Sequence, residues 1–298
     1  DGIESDNYNN IDPNEIENVT ILKDASATAV YGVRGANGVI LVTTKRGQQG
    51  APRINVSTSV ARTSFIDLRK SMNSYEYANS YNLGQAYDAY VTGNLTRRFS
   101  DKVIEKYRTQ SDPILYPDVN WTDLLVSDAS YQTQTNINIS GGTERVKYFF
   151  SAGYFTQDGL FNTDVYDPGY DYQLKYRRYN LRSNFDFNIN KNLKVSFDLS
   201  TQMDDTRGPN WSTSSFMNML VTVPSTISPG VVDNKIVMVP TTAQIPASTP
   251  MVAFIKGNHK DYANFLNGSI RVNYKMDYLT KGLAVRAAIS YKNYNNHI

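Results

Sequence analysis

The sequence predicts a mainly β chain: about seven long antiparallel strands forming part of a larger transmembrane β-barrel, preceded by a small α+β unit. Three observations predict it. Apolar and polar residues alternate strictly in several stretches, with one face of each stretch free of charge. Those stretches are longer than soluble strands. The connections between them alternate between short and long.

The α+β unit comes first. Asp12-Pro13-Asn14-Glu15 is a helix-start signal, with a capping Asp, a Pro suited to the first turn, and Glu three residues after the cap. Val19-Thr20-Ile21-Leu22 is a short apolar strand. Asp24 is placed to cap a small-residue helix from Ala25 to Tyr31, and Gly32 offers a left-handed stop. Val39 to Thr44 is a second strand. A β-α-β piece of this size is too small to stand alone, and the polar linker Lys45-Arg46-Gly47-Gln48-Gln49-Gly50 leads out of it.

The alternating stretches follow. At 131–140, Tyr131, Thr133, Thr135, Ile137 and Ile139 oppose Gln132, Gln134, Asn136, Asn138 and Ser140. At 178–189, Tyr179, Leu181, Phe185, Phe187 and Ile189 oppose Arg178, Asn180, Arg182, Asn184, Asp186 and Asn188. At 193–204, Leu193, Val195, Phe197, Leu199 and Met203 oppose Lys194, Asp198 and Asp204. The same reading fits 145–155, 266–276 and 283–292, and more weakly 53–63. A soluble sandwich also alternates, so the pattern alone does not choose between a packed core and lipid.

Length and connections decide. Soluble strands typically run ~5–6 residues, whereas these run about ten to twelve. Ten residues at ~3.3 Å each, tilted ~45°, cover roughly 23 Å, close to the ~25 Å apolar band of an outer-membrane barrel. Gly141-Gly142-Thr143-Glu144, Asn190-Lys191-Asn192 and Asp277 to Gly282 are tight turns; between them lie long segments at 64–130, 157–177 and 205–262. Short turns at one end and long loops at the other are the barrel arrangement. Tyr131, Tyr154, Phe155, Tyr179, Tyr274 and Tyr291 near strand ends suit the headgroup level. Seven strands cannot close such a pore without leaving raw edges in hydrocarbon, so the chain reads as a fragment of a longer barrel.

Composition narrows function. The net charge is +2 over 298 residues, which gives no basic footprint for nucleic acid. The absence of cysteine excludes disulfides, Cys-ligated metals and thiol catalysis. The only histidines, His259 and His297, are far apart and fall in or beside predicted loops, so neither metal binding nor His-based catalysis is expected. No leader precedes Asp1-Gly2, so the chain reads as processed, truncated or cytosolic. Asp204-Asp205 reads as a solvated strand end. Asp101 to Tyr107 reads as a capped helix, and the Phe216-Met217-Asn218-Met219-Leu220 run as a helix packing on the core of its own loop.

The stretch DPNEIENVTILKDASATAVYGVRGANGVILVTTKRG, together with NWTDLL, ISGGTERVKYFFSAGYFTQDGLF and TPMVAFIKGNHKDYANF, resembles SusC/RagA-family TonB-dependent outer-membrane transporters of Bacteroidetes. The resemblance implies that residues 1–50 are the C-terminal part of a plug, with Asp1-Gly2 ending a preceding plug strand, and that 51–298 begin the barrel. It further implies nutrient import without enzymatic activity or cofactor. The implied partners are TonB, reached through a missing N-terminal region, a SusD-like lipoprotein, outer-membrane lipid and an oligosaccharide or peptide substrate, in the outer membrane of a Gram-negative bacterium. The implied plug motif is Asp24, Tyr31, Gly32, Arg34, Gly35, Asn37 and Gly38. Its glycines are not spaced as G-x-G-x-x-G and no Gly-Lys-Ser/Thr follows, so they read as structural turns rather than a phosphate cradle. Arg34 is expected to pair with an inward-facing barrel carboxylate. Tyr116, Trp121 and Trp211 are candidate substrate-stacking residues, Trp121 also a candidate loop anchor. The alternatives are a soluble all-β carbohydrate-binding or adhesin module, and a β-rich hydrolase, for which no convergent acid pair or nucleophile is found.

Overall fold

A computed structural model describes residues 11–94, 96–238 and 249–297. The expectation for Asp1-Gly2 lies outside the described residues. The N-terminal unit holds β1 (Ile16–Leu22) antiparallel to β2 (Val39–Thr44), with α1 (Ala25–Thr28) and a 3-10 segment (Ala29–Gly35) between them. The helix-start signal at Asp12 yields a single 3-10 turn, Pro13–Glu15, in which Asp12 caps the Asn14 N–H, and the chain then extends straight into β1. The β-branched run that follows favours extension over helix.

The wall is one antiparallel sheet in the order β11-β10-β7-β6-β5-β4-β3, and it is not closed. Its strands are β3 (Gly50–Thr63), β4 (Ser130–Gly142), β5 (Val146–Asp158), β6 (Lys175–Asn188), β7 (Leu193–Pro209), β10 (Asn258–Lys275) and β11 (Ala284–His297). All three tight turns join neighbouring strands at one end. Thr143 Oγ1 accepts from the Arg145 and Val146 N–H groups, Asn190 Oδ1 from Asn192 and Leu193, and Asp277 Oδ1 from Gly282. The strands run further into the long segments than alternation predicts, because the ladder continues past the last apolar position. β7 therefore carries Asp204 and Asp205, and these are not a solvated end. Asp204 accepts from the Tyr176 hydroxyl at 2.9 Å and Asp205 pairs with Arg207 at 2.8 Å.

Burial is the reverse of a soluble sheet. On the face predicted to be polar, Asn184 and Ser151 are 1 % exposed and Asp198 4 %. On the apolar face Leu181 is 40 % exposed, Leu199 39 % and Ile270 44 %. A soluble sandwich must bury its apolar face, so this geometry removes the reason for the soluble reading. An apolar outside and a polar inside is the barrel pattern.

The apolar core lies off the sheet, among the long loops. Helix α2 (Ser74–Thr92) opens on an Asn73–Glu76 capping box and packs against α3 (Asp101–Thr109), capped by Ser100. Their seam is Ala78, Phe99 and Tyr107, with Tyr77, Tyr81 and Tyr116 packed against it. The larger cluster unites all three loops. It takes Trp121 and Leu125 from α4 (Trp121–Leu125), Phe161 and Tyr172 from the second loop, and Phe216 and Leu220 from α5 (Thr213–Thr222), with Met251 and Phe254 beyond them. Phe216 and Leu220 thus pack into the loop core, as their spacing predicts. A small hairpin, β8 (Val231–Val232) with β9 (Lys235–Ile236), flanks it.

Candidate functional site: the seam between the N-terminal unit and the wall

The N-terminal unit lies on the inward face of the wall and meets it row by row. Antiparallel register sets Asn136, Gly153 and Asn180 side by side on β4, β5 and β6, with Asn138, Ser151 and Arg182 in the next inward row. Ser140, Phe149, Asn184 and Asp198 form the third row, and Lys147, Asp186 and Ser196 belong to the fourth.

Each row receives one part of the small unit. Asp12 stands over the first, its Oδ2 3.3 Å from the point a Cβ of Gly153 would occupy, and that oxygen accepts from Gln134 Nε2, one inward position further along β4, at 3.2 Å. Glu15 stands over the second, its Oε2 taking the Arg182 Nε–H at 2.6 Å. Burial pushes the Glu15 carboxyl up, and Arg182 opposes that shift. Over the third row, Asn184 Nδ2 donates to Thr44 Oγ1 at 3.2 Å and to the Lys45 carbonyl at 2.8 Å. Arg46 then reaches Asp186 at 3.1 Å and Asp198 at 2.8 Å. β1 and β2 are paired, with Lys45 N–H on the Glu15 carbonyl at 2.8 Å, so the four contacts belong to one hydrogen-bonded unit.

The acids of the wall are almost fully covered, their side chains 7 % exposed at Asp186 and 5 % at Asp198. Their charge is met locally. Asp198 also holds Arg271 and the Ser269 hydroxyl, and Asp186 holds Lys194 at 3.3 Å and the Ser196 hydroxyl at 2.5 Å. Such a seam is strong when complete and costly when one partner is removed.

The residues expected to form the plug motif occupy the segment between β1 and β2. The Asp24 backbone carbonyl accepts from the Ala27 and Thr28 N–H groups at 3.0 Å, while its side chain makes no capping bond. The expected helix to Tyr31 is thus divided. Gly32 turns the chain at φ 61°, ψ −147°, outside the left-handed helical well, and Gly38 takes φ 96°. Gly35 is buried, and a Cβ there would stand 2.7 Å from the Thr28 carbonyl. Tyr31, Arg34 and Asn37 are exposed. From the N-terminal unit, Arg46, in the stretch read as a polar linker, engages the inward wall carboxylates Asp186 and Asp198. A signal for it was present: inward acids at Asp186 and Asp198 require a cation, and Arg46 is among the first basic residues after the last strand of the unit.

Among the substrate candidates, Trp121 is fully buried in the loop core with its Nε1–H on the Pro224 carbonyl at 3.3 Å. It has no free ring face, so it anchors the loop and does not stack a ligand. Tyr116 packs edge-on against Tyr107, and Lys256 lies 6.0 Å over the Trp211 ring. His259 lies within β10, beyond the loop, its Nδ1 2.9 Å from the Pro209 carbonyl. Among the described residues no group of three or more His, Cys, Asp or Glu is placed to hold a metal.

Fold and seam together define a class: a section of antiparallel barrel wall, polar inside and apolar outside, with the end of a small α+β unit fixed to its inner face. No family model matches the chain. Among curated proteins it is similar to TonB-dependent receptor P26 of Formosa agariphila, 33% identical over 194 residues, which is 64% of this chain and 17% of that protein. It is also similar to TonB-dependent receptor SusC of Bacteroides thetaiotaomicron, 32% identical over 154 residues, 51% of this chain and 13% of that protein. The solved RagAB peptide importer aligns in its closed-closed state with a TM-score of 0.70 at 23% identity, covering 96% of this chain and 33% of the solved one. Its open-open state aligns at 0.69 and 22% identity, covering 32% of the solved chain. The resemblance to SusC/RagA-family TonB-dependent transporters is therefore borne out in sequence and in fold. The matched residues span less than a fifth of the length of these curated relatives.

Proposed function

We propose that this chain is the plug-to-barrel section of a TonB-dependent nutrient importer in the outer membrane of a Gram-negative bacterium, and that it is not an enzyme. The observation that carries the reading is the inverted wall: buried Asn184, Ser151 and Asp198 inside, exposed Leu181, Leu199 and Ile270 outside. Lipid would cover the apolar face and the plug the polar one. Residues 1–50 would belong to the plug and 51–298 to the barrel, and Gly32, Gly35 and Gly38 would shape the plug's last turn before it meets the wall.

In this reading the four-row seam holds the plug against the inner face of the barrel. TonB, engaging a region upstream, would pull on the plug and admit an oligosaccharide or peptide captured under a SusD-like lipoprotein. The long-loop end would face that lipoprotein, with Tyr116 and Trp211 the candidate stacking residues. The test is uptake by cells carrying the full-length protein. Import of one nutrient class must depend on this protein and on TonB together. Uptake that persists without TonB would overturn the proposal.

A further inference from the structure

Gly153 stands between Asn136 and Asn180 in the first inward row, so two amides flank a position with no side chain. The point where a Cβ would stand is 2.7 Å from Asn136 Oδ1 and 3.3 Å from Asp12 Oδ2, which places those oxygens no more than 6.0 Å apart, the sum of the two lengths. Asp12, Glu15 and Asn136 are each 3 % exposed and Asn180 4 %. Asn136 Oδ1, Asn180 Oδ1 and Glu15 Oε1 are buried without a hydrogen-bond partner among the described residues.

Donors and cations near this notch are few. Asn14 donates to Asp12 Oδ1 through its backbone N–H and its Nδ2, Gln134 donates to Asp12 Oδ2, and Arg182 pairs with Glu15. The Lys45 ammonium is held by the Asn14 carbonyl at 2.7 Å. The Arg182 guanidinium meets Glu15, Asp12 is met by amide N–H groups alone, and three acceptor oxygens have no donor among the described residues. A flipped amide at Asn136 relieves one acceptor and leaves the charge unmatched.

We infer that the Gly153 notch binds a calcium ion, with Asp12 from the plug and Asn136 from the wall as ligands, and Glu15 and Asn180 flanking it. Every available donor is an oxygen, which selects a hard cation. Calcium takes six to eight oxygens at ~2.3–2.6 Å in flexible geometry and accepts amide carbonyls, whereas magnesium demands a tight octahedron at ~2.0–2.1 Å. A small side-chain shift brings the two facing oxygens onto one such ion. The ion then ties the plug to the wall at the end of the seam opposite Arg46. The inference rests on this geometry and not on the import reading.

The test uses the full-length protein purified in detergent and stripped of divalent ions. Calcium titration should show a saturable site whose occupancy raises the unfolding temperature. Asp12→Asn, which keeps the shape, and Gly153→Ala, which fills the notch, should each weaken that site by about tenfold to a hundredfold. Calcium without effect on the unmodified protein would overturn the inference, whatever the variants do. So would calcium binding undiminished in Asp12→Asn, or magnesium or sodium acting equally well at the same concentration.

Discussion

Arg46 Nη2 lies 2.8 Å from Asp198 Oδ1, and its Nη1 is 3.1 Å from Asp186, so one guanidinium at the end of the N-terminal unit joins two neighbouring strands of the wall. The pair links positions far apart in sequence.

Replacing Arg46 with Met should loosen the plug. Breaking a buried pair typically costs about 3–5 kcal/mol, and because Arg271 and Lys194 remain as partners the lower end is expected. Limited proteolysis of the plug in detergent reads this directly. Arg34→Met, on an exposed side chain, should change plug protection far less.

The step from plug to wall is sterically tight at Gly47, where a Cβ would stand 2.3 Å from the Tyr148 backbone nitrogen. Gly47→Ala should destabilise docking by about 1–3 kcal/mol, the usual cost of overpacking. A plug protected from protease as well as in the unmodified protein would contradict the close approach.

The outward face makes its own demand. Leu181→Arg or Leu199→Arg should cost up to about 2–4 kcal/mol on insertion into lipid, more the nearer the position lies to the midplane. Refolding yield into liposomes measures it. In a protein surrounded by water, the same changes at side chains about 40 % exposed would be nearly neutral.

The loop core should answer to truncation independently of the wall. Trp121→Ala or Phe254→Ala removes a fully buried ring and should cost about 3–5 kcal/mol of loop stability. Protease should then cut within the long loops while the strands stay protected.

Tyr172 sits in that core, its hydroxyl donating to the Tyr166 carbonyl at 3.0 Å. Burial, helped by the charges of Asp164 and Asp167, pushes its phenol from 10.0 up to about 12. The folded loop keeps a proton that the unfolded loop has lost across that interval. Its contribution is therefore full below pH 10.0 and declines as pH rises toward about 12. Tyr172→Phe should flatten the alkaline loss of loop stability, followed by Trp121 fluorescence.

Alternation in the sequence was enough to define the wall. A strand's side chains have a period of two, so charge confined to Arg182, Asp186 and Asp198 on one face and Leu181, Leu199 and Ile270 on the other assigns every position to a side. The tight turns were legible for the same local reason, since Thr143, Asn190 and Asp277 bond backbone groups only a few residues away. What covers the polar side was decided only in three dimensions. Arg46 meets Asp186 and Asp198 across more than a hundred residues, because strand register and the packing of the N-terminal unit on the wall bring them together. Trp121 loses its ring faces to loops that start far from it in the chain. The Gly153 notch exists only because Asp12 folds back over a row of three strands. Local periodicity is written in neighbouring residues, whereas charge pairing and burial depend on separations that no local pattern encodes.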